Sequence, residues 1–155
     1  IFCLSSSKII HNVNEYLYEP ATIDLTKSGS KTTLYVRLCE SSSMNGSQTI
    51  INMTRYCYCL ESKHIDTTGK SCSIPGPTLL MHDKTNINVT VVNELTGSAI
   101  FHSHSNDYKD MDITNIHVHG LHVDPYVDDV LINIYPNGSK HSYNYNIGYH
   151  YPGTF

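Results

Sequence analysis

Ten histidines occur in 155 residues, and five of them fall between His102 and His122. The stretch Asn115-Ile116-His117-Val118-His119-Gly120-Leu121-His122 is where type and spacing can do chemistry. On an extended strand side chains alternate faces, so His117 and His119 project from one side with Cα atoms about 6.5–7 Å apart. Two imidazoles placed this way can chelate one metal or serve two adjacent ones. Neutral imidazole is a suitable ligand for transition metals, and a ligating His commonly commits its second ring nitrogen to an outer-shell hydrogen bond. Gly120, without a side chain, lets another backbone or a neighbouring ligand approach. The ordinary use of such a pair is the polar face of an edge strand, with Ile116 and Val118 packed inward. Asp124, Asp128 and Asp129 follow the histidines closely. Their ordinary use is a solvated acidic turn; their chemical use would be to orient a ligating imidazole or pass protons.

Two other groupings imitate a metal site. His102-Ser103-His104 sits in the polar stretch from Thr96 to Asp112, which reads as a long surface loop between strands. His64 follows Cys59 by five positions, but Leu60 and Gly69 stand where a mononuclear copper–thiolate site needs a His and a Met-like residue. Cys59 is expected in a disulfide instead. The five cysteines Cys3, Cys39, Cys57, Cys59 and Cys72 allow two disulfides and one remaining thiol, with connectivity open. Four sequons, at Asn45, Asn52, Asn88 and Asn137, are expected to carry glycans in a secreted, extracellular protein.

The elements that must position these residues read as strands. Strand-like stretches run from Thr32 to Leu38, Thr49 to Cys59, Asn86 to Asn93, Thr114 to Val123 and Ser142 to Ile147. Ile87, Val89 and Val91 alternate with Asn86, Asn88 and Thr90, giving one buried and one wet face. Lys27-Ser28-Gly29-Ser30, Asn45-Gly46-Ser47, Thr67-Thr68-Gly69, Pro75-Gly76-Pro77 and Pro136-Asn137-Gly138 supply the turns expected between antiparallel strands. No sustained 3.6-residue period and no internal repeat is present. The class is all-β, a sandwich or barrel.

Composition narrows the partners. A formal charge of -4 with ten Lys plus Arg and no basic cluster leaves no footprint for nucleic acid or anionic lipid. No run of about twenty apolar residues supplies a transmembrane helix. Residues 1–30 read as an N-terminal segment in which Ile1-Phe2-Cys3-Leu4, followed by Ser5-Ser6-Ser7, has the character of a signal-peptide remnant. Residues 31–155 read as the domain, with both ends of the chain those of a fragment.

Four sequence elements occur in order: Ile74-Pro75-Gly76-Pro77-Thr78-Leu79, Val92-Asn93-Glu94-Leu95, the His117 to His122 stretch, and His150-Tyr151-Pro152-Gly153-Thr154-Phe155. Together they resemble the first, plastocyanin-like domain of the multicopper oxidases, the laccase, ferroxidase and ascorbate oxidase family. The likeness covers about half the chain, from Ile74 to Phe155. It implies a cupredoxin-like Greek-key β-sandwich. It also implies that His117 ligates the type 2 copper, and His119 a type 3 copper, of a trinuclear cluster that reduces dioxygen to water. In such a protein a substrate loses electrons one at a time at a type 1 copper elsewhere, so the implied partners are the remaining cupredoxin domains, a small-molecule or metal-ion reductant, and dioxygen. Family members continue from Gly-Thr-Phe into Trp-Tyr-His-x-His, and this sequence stops at Phe155. Alone, with two of the eight cluster histidines, the chain is expected to be inactive. The competing expectations are a non-catalytic secreted cupredoxin-like module for copper binding or adhesion, and a plain secreted β-sandwich with incidental histidines.

Overall fold

Alternation in the stretch Asn86–Asn93 organises the whole molecule, because each inward residue there becomes core. The computed structural model describes residues 20–44, 50–96 and 112–150, with the backbone alone for 40–44, 50–53 and 55. Among these residues there are seven strands: β1 (Thr22–Leu25), β2 (Ser30–Met44), β3 (Ile50–Cys59), β4 (Cys72–Ser73), β5 (Thr78–Met81), β6 (Asn86–Asn93) and β7 (Ser139–Asn146). There is no helix among the described residues, and none long and apolar enough to cross a membrane. The all-β class is therefore met.

A five-stranded sheet has the order β4-β3-β2-β6-β7, and β1 and β5 form a separate two-stranded sheet. The β2–β3 and β3–β4 ladders are antiparallel, as the turn residues predict, and so is β6–β7, whose strands no single turn joins. Two pairs, β2–β6 and β1–β5, are parallel. Local turn chemistry specifies only neighbours in sequence, whereas a parallel pair needs a long crossover between its strands.

Ile87, Val89 and Val91 of β6 are at most 3% exposed, and across the ladder Ile87 faces Tyr145 and Val89 faces Tyr143. The two tyrosine rings stack at 5.7 Å between centroids. Leu34 and Val36 from β2, Leu25 from β1, and Leu95, Ile134 and Ile147 complete the core, with Ile23, Leu79 and Met81 of the small sheet packed against it. The small sheet thus covers the inner face of the large one. Pairing β1 with β5 lets two four-residue strands satisfy each other's backbone groups.

Two disulfides settle the cysteine connectivity among the described residues: Cys39–Cys57 ties β2 to β3, and Cys59–Cys72 ties β3 to β4. Cys3 lies outside the described residues. A polar cluster sits nearby. Arg37 donates to Glu94 at 2.7 Å, and its other nitrogens reach the carbonyls of Asp66 and Glu61.

Asn93 ends β6 fully buried, and its amide is saturated. Nδ2 donates to the carbonyls of Asp112 and Ile134 at 2.6 and 2.8 Å, while Oδ1 accepts from the Leu95 amide at 3.0 Å. A buried amide is costly without partners, so these bonds fix Asp112 and Ile134 against the end of β6. The Thr114↔Ile134 bridge follows directly.

Candidate metal centre

Beyond Thr114 the expected strand to Val123 does not form, and the bridge at Thr114 is its only ladder contact among the described residues. The reason lies in where the amides go. The Ile116 N–H donates to the Tyr143 hydroxyl at 3.3 Å, and the Val118 N–H donates to Asp128 Oδ1 at 3.1 Å. Side chains replace the neighbouring strand as acceptors, while Ile116 and Val118 still pack against the core.

His117 and His119 are exposed, and their rings lie edge to face with centroids 5.6 Å apart. With metal–nitrogen bonds of about 2 Å, an imidazole centroid lies about 3 Å from its metal, so two rings at this separation can share one ion or flank two. His117 Nδ1 sits 2.6 Å from Asp128 Oδ2. A carboxylate only accepts, so in the neutral imidazole the proton sits on Nδ1 and the Nε2 lone pair is left for a metal. This is the carboxylate–histidine arrangement that outer-shell partners of metal ligands adopt.

Asp128 is turned inward, with its side chain 6% exposed against 42% for His117. Besides His117 it accepts from the Val118 amide and from the Tyr145 hydroxyl at 3.3 Å. Burial pushes the Tyr145 hydroxyl well above the ordinary phenol range, and the Asp128 charge beside it adds to the shift. Tyr145 therefore stays a donor to Asp128. The other two acids serve the turn, as their ordinary use predicts: Asp124 Oδ1 accepts from the Tyr126 amide and Asp129 Oδ1 from the Leu131 amide. Of the three, Asp128 alone departs from the solvated-turn expectation, because the turn that Asp124 and Asp129 cap points it back at residue 118.

A second histidine pair was not singled out by spacing. His122 and His150 stack with centroids 4.9 Å apart, and the His150 Nε2 lies 2.9 Å from the carbonyl of Gly120, a residue with φ of +78°. His122 Nδ1 is 3.3 Å from the Tyr149 carbonyl. These contacts hold residues 149–150 against the turn that ends the His117–His119 stretch. The only sequence signal was the order of the four elements, which placed His150 after His122 without pairing them.

The remaining expectations divide by region. His102 and His104, Asn45, the side chain of Asn52, and Pro152 to Phe155 lie outside the described residues. His64 is exposed, and Cys59 is in a disulfide, so no copper–thiolate site forms there. Asn88 Nδ2 donates to Asn144 Oδ1 at 2.6 Å on the wet face of the sheet, while Asn137 occupies an exposed turn with φ of +65°. Neither a family model nor a curated protein matches the chain significantly.

Proposed function

We propose that this chain is a cupredoxin-like Greek-key domain of a secreted copper-dependent oxidoreductase, with His117 and His119 as ligands of a copper cluster. The observation that carries it is the arrangement of four side chains: His119 lies edge to face with His117, His117 is paired with the buried Asp128 carboxylate, and the buried Tyr145 hydroxyl donates to that carboxylate in turn. Asp128 holds Tyr145 and the Val118 amide for the fold, and its second oxygen faces His117 Nδ1, the contact that bears on a metal. Two disulfides and four sequons support an oxidising, extracellular setting.

In this reading His117 serves the type 2 and His119 a type 3 position, and the other ligands, the type 1 copper and the reductant-binding surface come from further cupredoxin domains. Copper, when bound, supplies one-electron transfer and dioxygen reduction. The chain's own residues do the rest. Asp128 keeps the His117 Nε2 lone pair aimed outward, Tyr145 and the Val118 amide hold Asp128, and the stacked His122–His150 pair fixes the following turn.

The test is a copper titration of the wild-type chain, of His117→Ala with His119→Ala, and of His102→Ala with His104→Ala. The first double variant is expected to lose binding and the second to keep it; the reverse pattern defeats the assignment.

A further inference from the structure

Four sulfurs converge where β2, β3 and β4 meet. Cys57 and Cys59 are fully buried on one face of β3, Cys39 reaches them from β2, and Cys72 from β4. All four Sγ atoms lie within 4.8 Å of one another, and those of Cys57 and Cys59, which belong to different disulfides, are 3.9 Å apart. Two disulfides require closeness within each pair, not between pairs. Tetrahedral zinc, with Zn–S bonds of about 2.3 Å, spaces its sulfurs about 3.8 Å apart, so Cys57 and Cys59 already stand at ligand spacing.

We propose that, once both disulfides are reduced, Cys39, Cys57, Cys59 and Cys72 bind one zinc ion as a tetrathiolate centre, so that this cysteine box is a redox-gated zinc site. What must change is the separation inside each former pair. Cys72 belongs to the two-residue edge strand β4, which is paired only with β3 and can shift outward. Cys39 and Cys72 are half-buried, which gives reductant and ion an approach that Cys57 and Cys59 lack. Arg37 Nη1 lies 3.6 Å from Cys72 Sγ, so a fixed guanidinium faces a centre whose four thiolates and one zinc carry a net double negative charge.

The chemistry balances with a phosphine as reductant. Each disulfide takes two electrons from one phosphine; the S–S bond breaks, two thiols form with protons from water, and the water oxygen leaves on the phosphine oxide. Zinc binding then forms four Zn–S bonds and releases four protons.

The test uses the full chain, reduced with a phosphine under anaerobic conditions and titrated with Co(II) as a spectroscopic stand-in for zinc. A tetrahedral cobalt–thiolate spectrum saturating at one equivalent is expected. Zinc should displace it, the oxidised chain should not show it, and both Cys3→Ser and the His117→Ala, His119→Ala variant should keep it. Cys72→Ser, at the sheet edge, should lose it, as should Cys57→Ser in the core. Zinc should also raise the melting temperature of the reduced wild-type chain, a readout independent of how the variants fold. Loss of the spectrum in Cys3→Ser, saturation below one equivalent, or a reduced chain whose melting is unmoved by zinc overturns the proposal.

Discussion

Replacing Asp128 separates its two jobs. Asp128→Ala removes the acceptor of the Tyr145 hydroxyl and of the Val118 amide, as well as the partner of His117 Nδ1. Tyr145 is 1% exposed, so its hydroxyl would carry the whole desolvation cost of a lost partner. Each buried donor left unpaired costs about 1–3 kcal/mol, and with Val118 partly open to water the loss sums to about 3 kcal/mol. At about 3 °C per kcal/mol for a chain of this size, the melting temperature should fall by about 9 °C. Asp128→Asn behaves differently. Its carbonyl oxygen can still accept from Tyr145 and Val118, but its amide now donates toward His117 Nδ1. That moves the imidazole proton to Nε2 and removes the lone pair a metal needs. Stability should fall by only about 1 kcal/mol. Copper affinity should fall about 10–100-fold, the usual cost of losing an outer-shell partner. Thermal melts and copper titrations of both variants provide the assay. Wild-type copper affinity in Asp128→Asn would refute the tautomer reasoning, and a melting shift under about 2 °C in Asp128→Ala would refute the burial reasoning.

Three further outcomes are expected. A Cβ at Gly76 would stand 2.8 Å from Tyr58 Cδ2 and 3.0 Å from its Cβ and Cγ, so Gly76→Ala should destabilise by about 1–3 kcal/mol in a denaturant titration, and Tyr58→Ala should relieve the clash only in part, because its Cβ remains. The Ser71 hydroxyl and amide, with Thr68 and the Lys70 amide, hold the Asp66 carboxyl below the ordinary range. Glu94 is also lowered: its burial works the other way but is outweighed by Ser62, Arg37 and the Lys63 amide. Both groups therefore stabilise the fold fully above about pH 5, and that contribution is lost as pH falls below about 4 toward their folded values; melting temperature measured against pH should drop there, and less steeply in Asp66→Asn. In secretory expression Asn137 should carry glycan more completely than Asn88, whose amide is bonded within the sheet; peptide mass spectrometry showing the opposite occupancy would contradict this.

What was legible in the sequence followed one physical signal, the period-two alternation. It located β6 residue for residue, found most of β3 and β7 but less than half of β2, and placed His117 and His119 side by side. It failed where backbone amides bond to side chains, since residues 115–118 carry a strand-like pattern yet hand their amides to Tyr143 and Asp128. It also failed for β1, β4 and β5, because two to four residues are too few to show a period. Asp128 could not be told from Asp124 and Asp129, since only the capped turn decides which carboxylate points inward. The disulfide pairing depended on the register of three strands, which spacing along one chain does not carry.

The parallel β2–β6 pair sets an order of assembly. The β2–β3–β4 ladders are local and can form, with both disulfides closed, while residues beyond 80 are still being added. β2 then waits with one edge open, because Ser30 meets Ile87 and Val36 meets Asn93 only after the chain has passed through β5. Non-local pairing of this kind is slow, since loop-closure entropy must be met before any contact rewards it. Asn93, which receives residues 112 and 134, arrives with β6. The histidines at 117 and 119 therefore find their places last, on a scaffold already cross-linked at its far edge.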